Sequence, residues 1–193
     1  MTAPALRKAK TVAGAHLVLR NATVADAEFI LSLRLDPQKS RHLAVTSSRL
    51  EDQIAWLRNY ESATNQAYFI VCDTSGRPIG CLRLYDPIGE SYCWGSWLMV
   101  SGLSPLASIE ANMVVYAYGR WLGFREARLD VRRDNVAVWR FHERFSGAVR
   151  VRATELDYFY VLGEERIEAL LARYRHLLTE PLAVEPLDGS SSI

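Results

Sequence analysis

Polar and apolar positions along the chain mark one dominant unit. In Tyr92-Cys93-Trp94-Gly95-Ser96-Trp97-Leu98-Met99-Val100, apolar side chains occupy both alternating faces. Tyr92, Trp94, Leu98 and Val100 fall on one, Cys93, Trp97 and Met99 on the other. A strand apolar on both faces is central in a covered sheet. Gly95 inside the run predicts a bulge or a close approach by another group. After the break at Ser101-Gly102-Leu103, Ser104-Pro105 reads as an N-cap followed by proline at the first helical position. Ile109, Met113, Ala117 and Trp121 then repeat at helical spacing beside Tyr116, and Gly123 ends the helix. The N-terminus of that helix points beyond the strand end and favours an anion.

The flanking pattern supplies the other elements. Leu17–Arg20 reads as a first strand, and Thr23 with Asp26 as a capping box for a helix that Asp36-Pro37 stops. His42–Ser48 is polar and irregular, and Ser48 with Glu51 opens a second helix through Tyr60. Strands are expected at Ala67–Asp73 and Ile79–Tyr85, joined by hairpin-turn residues Thr74–Pro78. Further on, a strand is expected at Ala127–Arg132, a helix at Val136–Arg144, one or two strands over Val149–Leu162, and an amphipathic helix at Glu164–Leu178. The order β-α-α-β-β-β-α-β-α-β with a final helix is a mixed α/β arrangement.

Composition narrows the reading. The length of 193 residues suits one domain, placed at 16–180 between a loose leader (1–15) and a disordered tail (181–193). A formal net charge of +1 argues against a nucleic-acid or membrane partner. No apolar run has signal-peptide or membrane-spanning length. Cys72, Cys81 and Cys93 are isolated, which argues against a metal site and for free thiols in a reducing cytoplasm.

Several stretches carry a resemblance. The element order from Leu17 to Leu162 resembles the GNAT N-acetyltransferase fold, with a partly antiparallel central sheet flanked by helices. Leu19-Arg20-Asn21-Ala22-Thr23 with Asp26-Ala27 resembles the start of the acetyltransferases that modify ribosomal-protein N-termini. Asn135, followed by Phe141-His142-Glu143-Arg144-Phe145 and Gly147-Ala148, resembles the family's Asn turn and following helix. Tyr68-Phe69-Ile70, Gly80, Tyr85-Asp86 and Trp94-Gly95-Ser96-Trp97 resemble bacterial enzymes that acetylate the 4-amino group of UDP-linked deoxyamino sugars, as in the pseudaminic-acid pathway. The chain departs from the family at the glycine-rich Arg/Gln-x-x-Gly-x-Gly/Ala loop, where Leu103-Ser104-Pro105-Leu106-Ala107 stands instead. It departs again after His142, where Ser146 adds one residue before Gly147.

The resemblance implies acetyl transfer from acetyl-CoA, as co-substrate without a metal, to a primary amine on a nucleotide-linked amino sugar. The enzyme would be a cytoplasmic monomer or homodimer. A protein N-terminus is the alternative acceptor, and a non-catalytic scaffold the alternative from another class. Near Leu98 or Val100 a backbone N–H would polarise the thioester carbonyl. His142 would protonate the leaving thiolate, or else is a half-buried helical histidine. Asn135 would hold the pantetheine arm, cap the helix, or both. Ser104 is left to hold the pyrophosphate where glycines are missing. Glu90 would accept the substrate proton through water, or is a surface residue. Tyr85, Tyr92 and Trp94 would wall a uracil or sugar ring, or pack in the core. Arg83, with Arg132 and Arg133, would meet a diphosphate. His16, His42 and His176 receive no role.

Overall fold

The computed structural model describes residues 3–40, 42 and 47–187. Its strands are β1 (Ala9–Gly14), β2 (Leu17–Asn21), β3 (Ala67–Asp73), β4 (Pro78–Ile88), β5 (Ser91–Met99), β6 (Glu126–Arg132), β7 (Val149–Ala153), β8 (Asp157–Leu162) and β9 (Leu178–Pro186). They form one sheet in the order β7-β8-β6-β5-β4-β3-β2-β1-β9. Every pair with a recorded register is antiparallel except β5 with β6. The helices are α1 (Ala27–Leu35), a short α2 (Pro37–Ser40), α3 (Leu50–Ser62), α4 (Pro105–Trp121), α5 (Val136–Phe141) and α6 (Glu164–Arg173). The expected mixed, partly antiparallel sheet with flanking helices is the one observed.

Each face of the sheet has its own core. Phe69, Leu84, Tyr92, Trp94, Leu129 and Val131 point to the face that α4 covers. Ile70, Cys72, Cys81 and Leu98 point to the face that α1 and α3 cover. Residues 110–119 of α4 are all buried, because the helix packs on β1, β2 and β9 on one side and on α6 on another. Glu110 is among them, 2% exposed. Its carboxylate accepts from the His16 and Leu17 amides (2.6 and 3.0 Å) and lies 3.1 Å from His16 Nδ1. A buried carboxylate needs such donors, and here they fasten the β1–β2 turn to α4.

Local chemistry follows the sequence at several points. Ser104 caps α4, accepting from the Leu106 amide at 3.3 Å, with Pro105 in the first turn. Gly123 ends that helix at φ 94°, where a side chain would be strained. The Thr23–Asp26 capping box is present, and Arg20 adds two hydrogen bonds to the same carboxylate.

Other expectations are corrected. Ala9–Gly14, assigned to the leader, is an inner strand between β2 and β9. Leu178–Pro186, divided between a helix end and a tail, is the edge strand β9. The Ser48–Glu51 capping box is not formed: α3 starts after Arg49 with no side-chain cap, and Ser47 donates to Asp52 instead. Residues 1–2 of the leader, 43–46 of the irregular stretch and 188–193 of the tail lie outside the described residues.

Candidate active site

β5 and β6 pair only at their starts: Ser91 with Glu126, Tyr92 with Ala127, Cys93 with Arg128. Beyond that point β5 stays with β4 as far as Met99, and β6 stays with β8 as far as Arg132. The two strands therefore part after Cys93. Among the described residues, the edge of β5 facing away from β4 has no strand partner from Trp94 onward. A crevice beyond the carboxyl ends of neighbouring parallel strands is where open α/β sheets take ligands.

A bulge shapes that edge. Opposite β4 the register moves from Arg83↔Gly95 to Cys81↔Leu98, so β5 carries one extra residue. Ser96, next to Gly95, takes the left-handed conformation in this bulge, at φ 49°. Gly95 instead leaves room for the Tyr85 ring, whose hydroxyl lies 3.3 Å from where a Cβ would sit. The extra residue reverses the alternation expected for the strand. Trp94 and Trp97 thus share the α4 face, with ring centroids 5.8 Å apart, while Leu98 packs on the opposite face. The Val100 amide donates to Ile79 at 2.9 Å, and Leu98 lies opposite Cys81. Amides alternate along a strand, so those of Leu98 and Val100 face β4. The same alternation turns the Met99 amide, and that of Trp97 at the end of the bulge, toward the open edge.

On the α4 face a polar cluster lies against this edge. α5 runs on through a π turn, His142–Ser146, which absorbs the extra residue noted before Gly147. His142 is 3% exposed and packs on Trp94 (5.7 Å), Trp97 (6.3 Å) and Phe141 (5.4 Å). Burial pushes its pKa down to about 4, so the imidazole is neutral at pH 7. Tyr116 OH sits beside Ser146 and Trp94. Yet Tyr116 OH, Ser146 Oγ, Trp94 Nε1, Trp97 Nε1, His142 Nδ1 and Asn112 Oδ1 are all buried without a completed hydrogen bond. Buried polar groups ordinarily find partners. The amides and thioester carbonyl of the expected acetyl donor offer acceptors of the kind the Trp97 N–H group lacks.

The loop ends frame the same crevice. Asn135 precedes α5 and makes no side-chain cap, which leaves its amide for other partners. At α4, Pro105 has no N–H, the Leu106 amide donates to Ser104 Oγ, and the Ala107 amide donates to Ser104 O. The first turn of α4 therefore offers fewer backbone donors to a pyrophosphate than a glycine-rich loop would.

The opposite face holds a second group of side chains. The Arg83 guanidinium lies 4.4 Å from the Tyr85 ring and 5.5 Å from the Trp56 ring. Its Nε is buried without a partner, and no carboxylate pairs with it among the described residues. Tyr85 OH donates to Asp130 Oδ1 at 3.1 Å, and the Cys93 thiol approaches the same oxygen at 3.5 Å. Burial pushes that thiol up to about 12, so it is protonated.

The structure thus brings Leu98, Val100, Ser104, Asn135 and His142 to one end of the sheet, and sets Arg83 and Tyr85 across from His142. It does not form the expected aromatic wall: Tyr92 and Trp94 are buried under α4, on the face away from Tyr85. Glu90 stands before the start of β5, at the paired end, 3.7 Å from Arg125. It is separated from the open edge by most of a nine-residue strand. Arg132 pairs with Asp157, and Arg133 stacks on Tyr158. Trp56 and Asp130 join Arg83 and Tyr85 on this face without a local signal in the sequence. Trp56 reads from sequence as a helix residue, and Asp130 as the polar position of an alternating strand; only the sheet order sets them beside Arg83 and Tyr85.

The acetyltransferase (GNAT) domain family matches residues 16–146. Among solved structures, one described as apo FdhC, a nucleotide-linked sugar GNAT, is 27% identical, covering 88% of this chain and 98% of its own, with a TM-score of 0.77. A GCN5-related N-acetyltransferase from Brucella melitensis is 19% identical over 90% of this chain and 88% of its own (TM-score 0.72). A spermidine N-acetyltransferase from Vibrio cholerae is 14% identical over 78% and 95% (TM-score 0.65). These last two share the fold. No curated protein matches the chain.

Proposed function

The chain belongs to the GNAT acetyltransferase family, and from that premise we propose that it moves an acetyl group from acetyl-CoA to a primary amine on a nucleotide-linked amino sugar. The observation that carries the proposal is the parting of β5 from β6. It leaves strand amides open between two differently equipped faces. Trp97, His142 and Asn135 on the α4 side serve the thioester and pantetheine arm. Arg83, Tyr85 and Trp56 on the other side serve the acceptor.

Transfer needs a polarised carbonyl, a neutral amine and close approach. The open-edge amides of Trp97 and Met99 polarise the carbonyl. The neutral imidazole of His142 offers an N–H to the departing sulfur. The Arg83 guanidinium, over the Tyr85 and Trp56 rings and without a carboxylate partner, suits a phosphate of the acceptor. Likeness to a nucleotide-linked sugar GNAT supports that acceptor class. A helix long and apolar enough to cross a membrane is absent from the described residues, and the three cysteines are free and buried; a reducing cytoplasmic setting accords with those thiols.

The test is an acceptor panel with acetyl-CoA: UDP- and TDP-linked 4-amino sugars, glucosamine, spermidine and a peptide N-terminus, read by thiol release and product mass. Turnover of a sugar nucleotide at a kcat/KM at least tenfold above the others is expected. Preference for the peptide or the polyamine would contradict the acceptor, and no turnover with any amine would contradict the enzyme.

A further inference from the structure

We infer that Asp130 is the catalytic base of this site, taking the proton from the acceptor's ammonium; the inference rests on the transfer reaction proposed above. Asp130 stands on β6 two positions past Arg128, the last residue paired with β5, where the strands have begun to part. Its neighbours Leu129 and Val131 are buried in the α4-side core. Strand alternation therefore turns Asp130 to the opposite face, and it is exposed there. His142 and Asp130 thus stand on opposite faces of one crevice. That arrangement lets a thioester enter from one side and an amine from the other.

The charged surroundings single it out. Asp86 on this face is paired with Arg128, and Asp157 with Arg132. Asp130 has no basic side chain at ion-pair distance among the described residues. The groups that face it are the Tyr85 hydroxyl from β4, the Cys93 thiol from β5 and Phe159, its register partner on β8. Arg128 and Arg132 flank it on its own strand, and Arg83 lies over the Tyr85 ring. One oxygen of the carboxylate, Oδ1, is oriented by Tyr85 and Cys93, which leaves Oδ2 for a ligand. A carboxylate without a permanent counter-ion, fixed by neutral donors, both attracts an ammonium and accepts its proton.

Asp130 removes one proton from R–NH3+. The freed lone pair forms the C–N bond to the acyl carbon, and the C–S bond breaks with its electron pair going to sulfur. The sulfur leaves as a thiol carrying the second amine proton, and Asp130 returns the first to water. Tyr85 is a positioning residue in this scheme.

The test compares wild type with Asp130→Asn, Asp130→Glu and Tyr85→Phe, using a UDP-linked 4-amino sugar over pH 6 to 10. With Asp130→Asn, kcat/KM should fall by about 10²–10⁴ near pH 7. It should then climb about tenfold per pH unit as solution hydroxide deprotonates the amine, so that the gap to wild type closes. Asp130→Glu should recover part of the loss, and Tyr85→Phe should lose about tenfold or less. Acetyl-CoA affinity and thermal stability should hold in all three, since Asp130 is exposed and on the other face. Asp130→Asn within about threefold of wild type, or a loss equal at every pH, would overturn the inference. A wild type that acetylates spermidine or glucosamine but no sugar nucleotide removes the acceptor class, and the same variants are then read on that amine. A wild type inert toward all of them overturns both readings.

Discussion

Acidification should destabilise this protein through His142 in a defined window. The free imidazole has a pKa of 6.5, and burial holds the folded one at about 4. Between these values the unfolded chain carries a proton that the folded chain refuses. The contribution is therefore fully present above 6.5 and is lost as pH falls toward 4. The gap of about 2.5 pH units, at about 1.4 kcal/mol each, amounts to about 3 kcal/mol. That is a large share of an ordinary domain's stability. Carboxylates titrate over the same range, so the measurement must be differential. Urea unfolding from pH 7 to pH 4 is followed for wild type and for His142→Gln, which keeps a polar side chain but cannot titrate. Wild type should lose about 3 kcal/mol more than the variant. Parallel curves would mean that His142 takes its proton as easily folded as unfolded. Burial would then not be what sets its state, and an imidazolium acid at neutral pH would return as its chemistry.

Two further outcomes follow from the crevice. Because the α4 N-terminus commits its first-turn amides to Ser104, calorimetry should show acetyl-pantetheine binding within about 4 kcal/mol of acetyl-CoA; a larger loss on removing the nucleotide end would reveal a strong phosphate site. Glu90→Gln, at the paired end of β5, should leave kcat/KM within about twofold and stability within about 0.5 kcal/mol, and a hundredfold fall in turnover would restore Glu90 as the base.

The β5–α4 unit was legible because its signals are local. Two-faced apolarity marks a central strand, and Ser104-Pro105 with Gly123 brackets the helix. β1 was not, because Ala9-Lys10-Thr11-Val12-Ala13-Gly14 has few large apolar residues and becomes a strand through β9, more than 160 residues away, as in Ala13↔Ala183. β9 carries Pro181 and Pro186, which read as strand breakers but are tolerated on an edge. Within the site, the presence of a bulge in β5 was readable from Gly95, but its position at Ser96 was not. That shift of one residue decides which amides face the crevice and why Trp94 and Trp97 share a face. Glu90 is near the central strand in sequence. The strand then runs away from it, and the carboxylate that meets Tyr85 comes from β6, across the parallel pair. Such cross-strand neighbours are set by sheet order, which no local pattern encodes.

The proposed function requires that the open edge of β5 receive the acetyl donor. Residue-resolved amide hydrogen exchange, with and without acetyl-CoA, tests it directly. In the free protein the Leu98 and Val100 amides, turned to β4, should exchange slowly, and those of Trp97 and Met99 faster. Addition of acetyl-CoA should slow Trp97 and Met99 and leave the other two unchanged. Slowing confined to Leu98 and Val100, or no change anywhere on β5, would contradict the account.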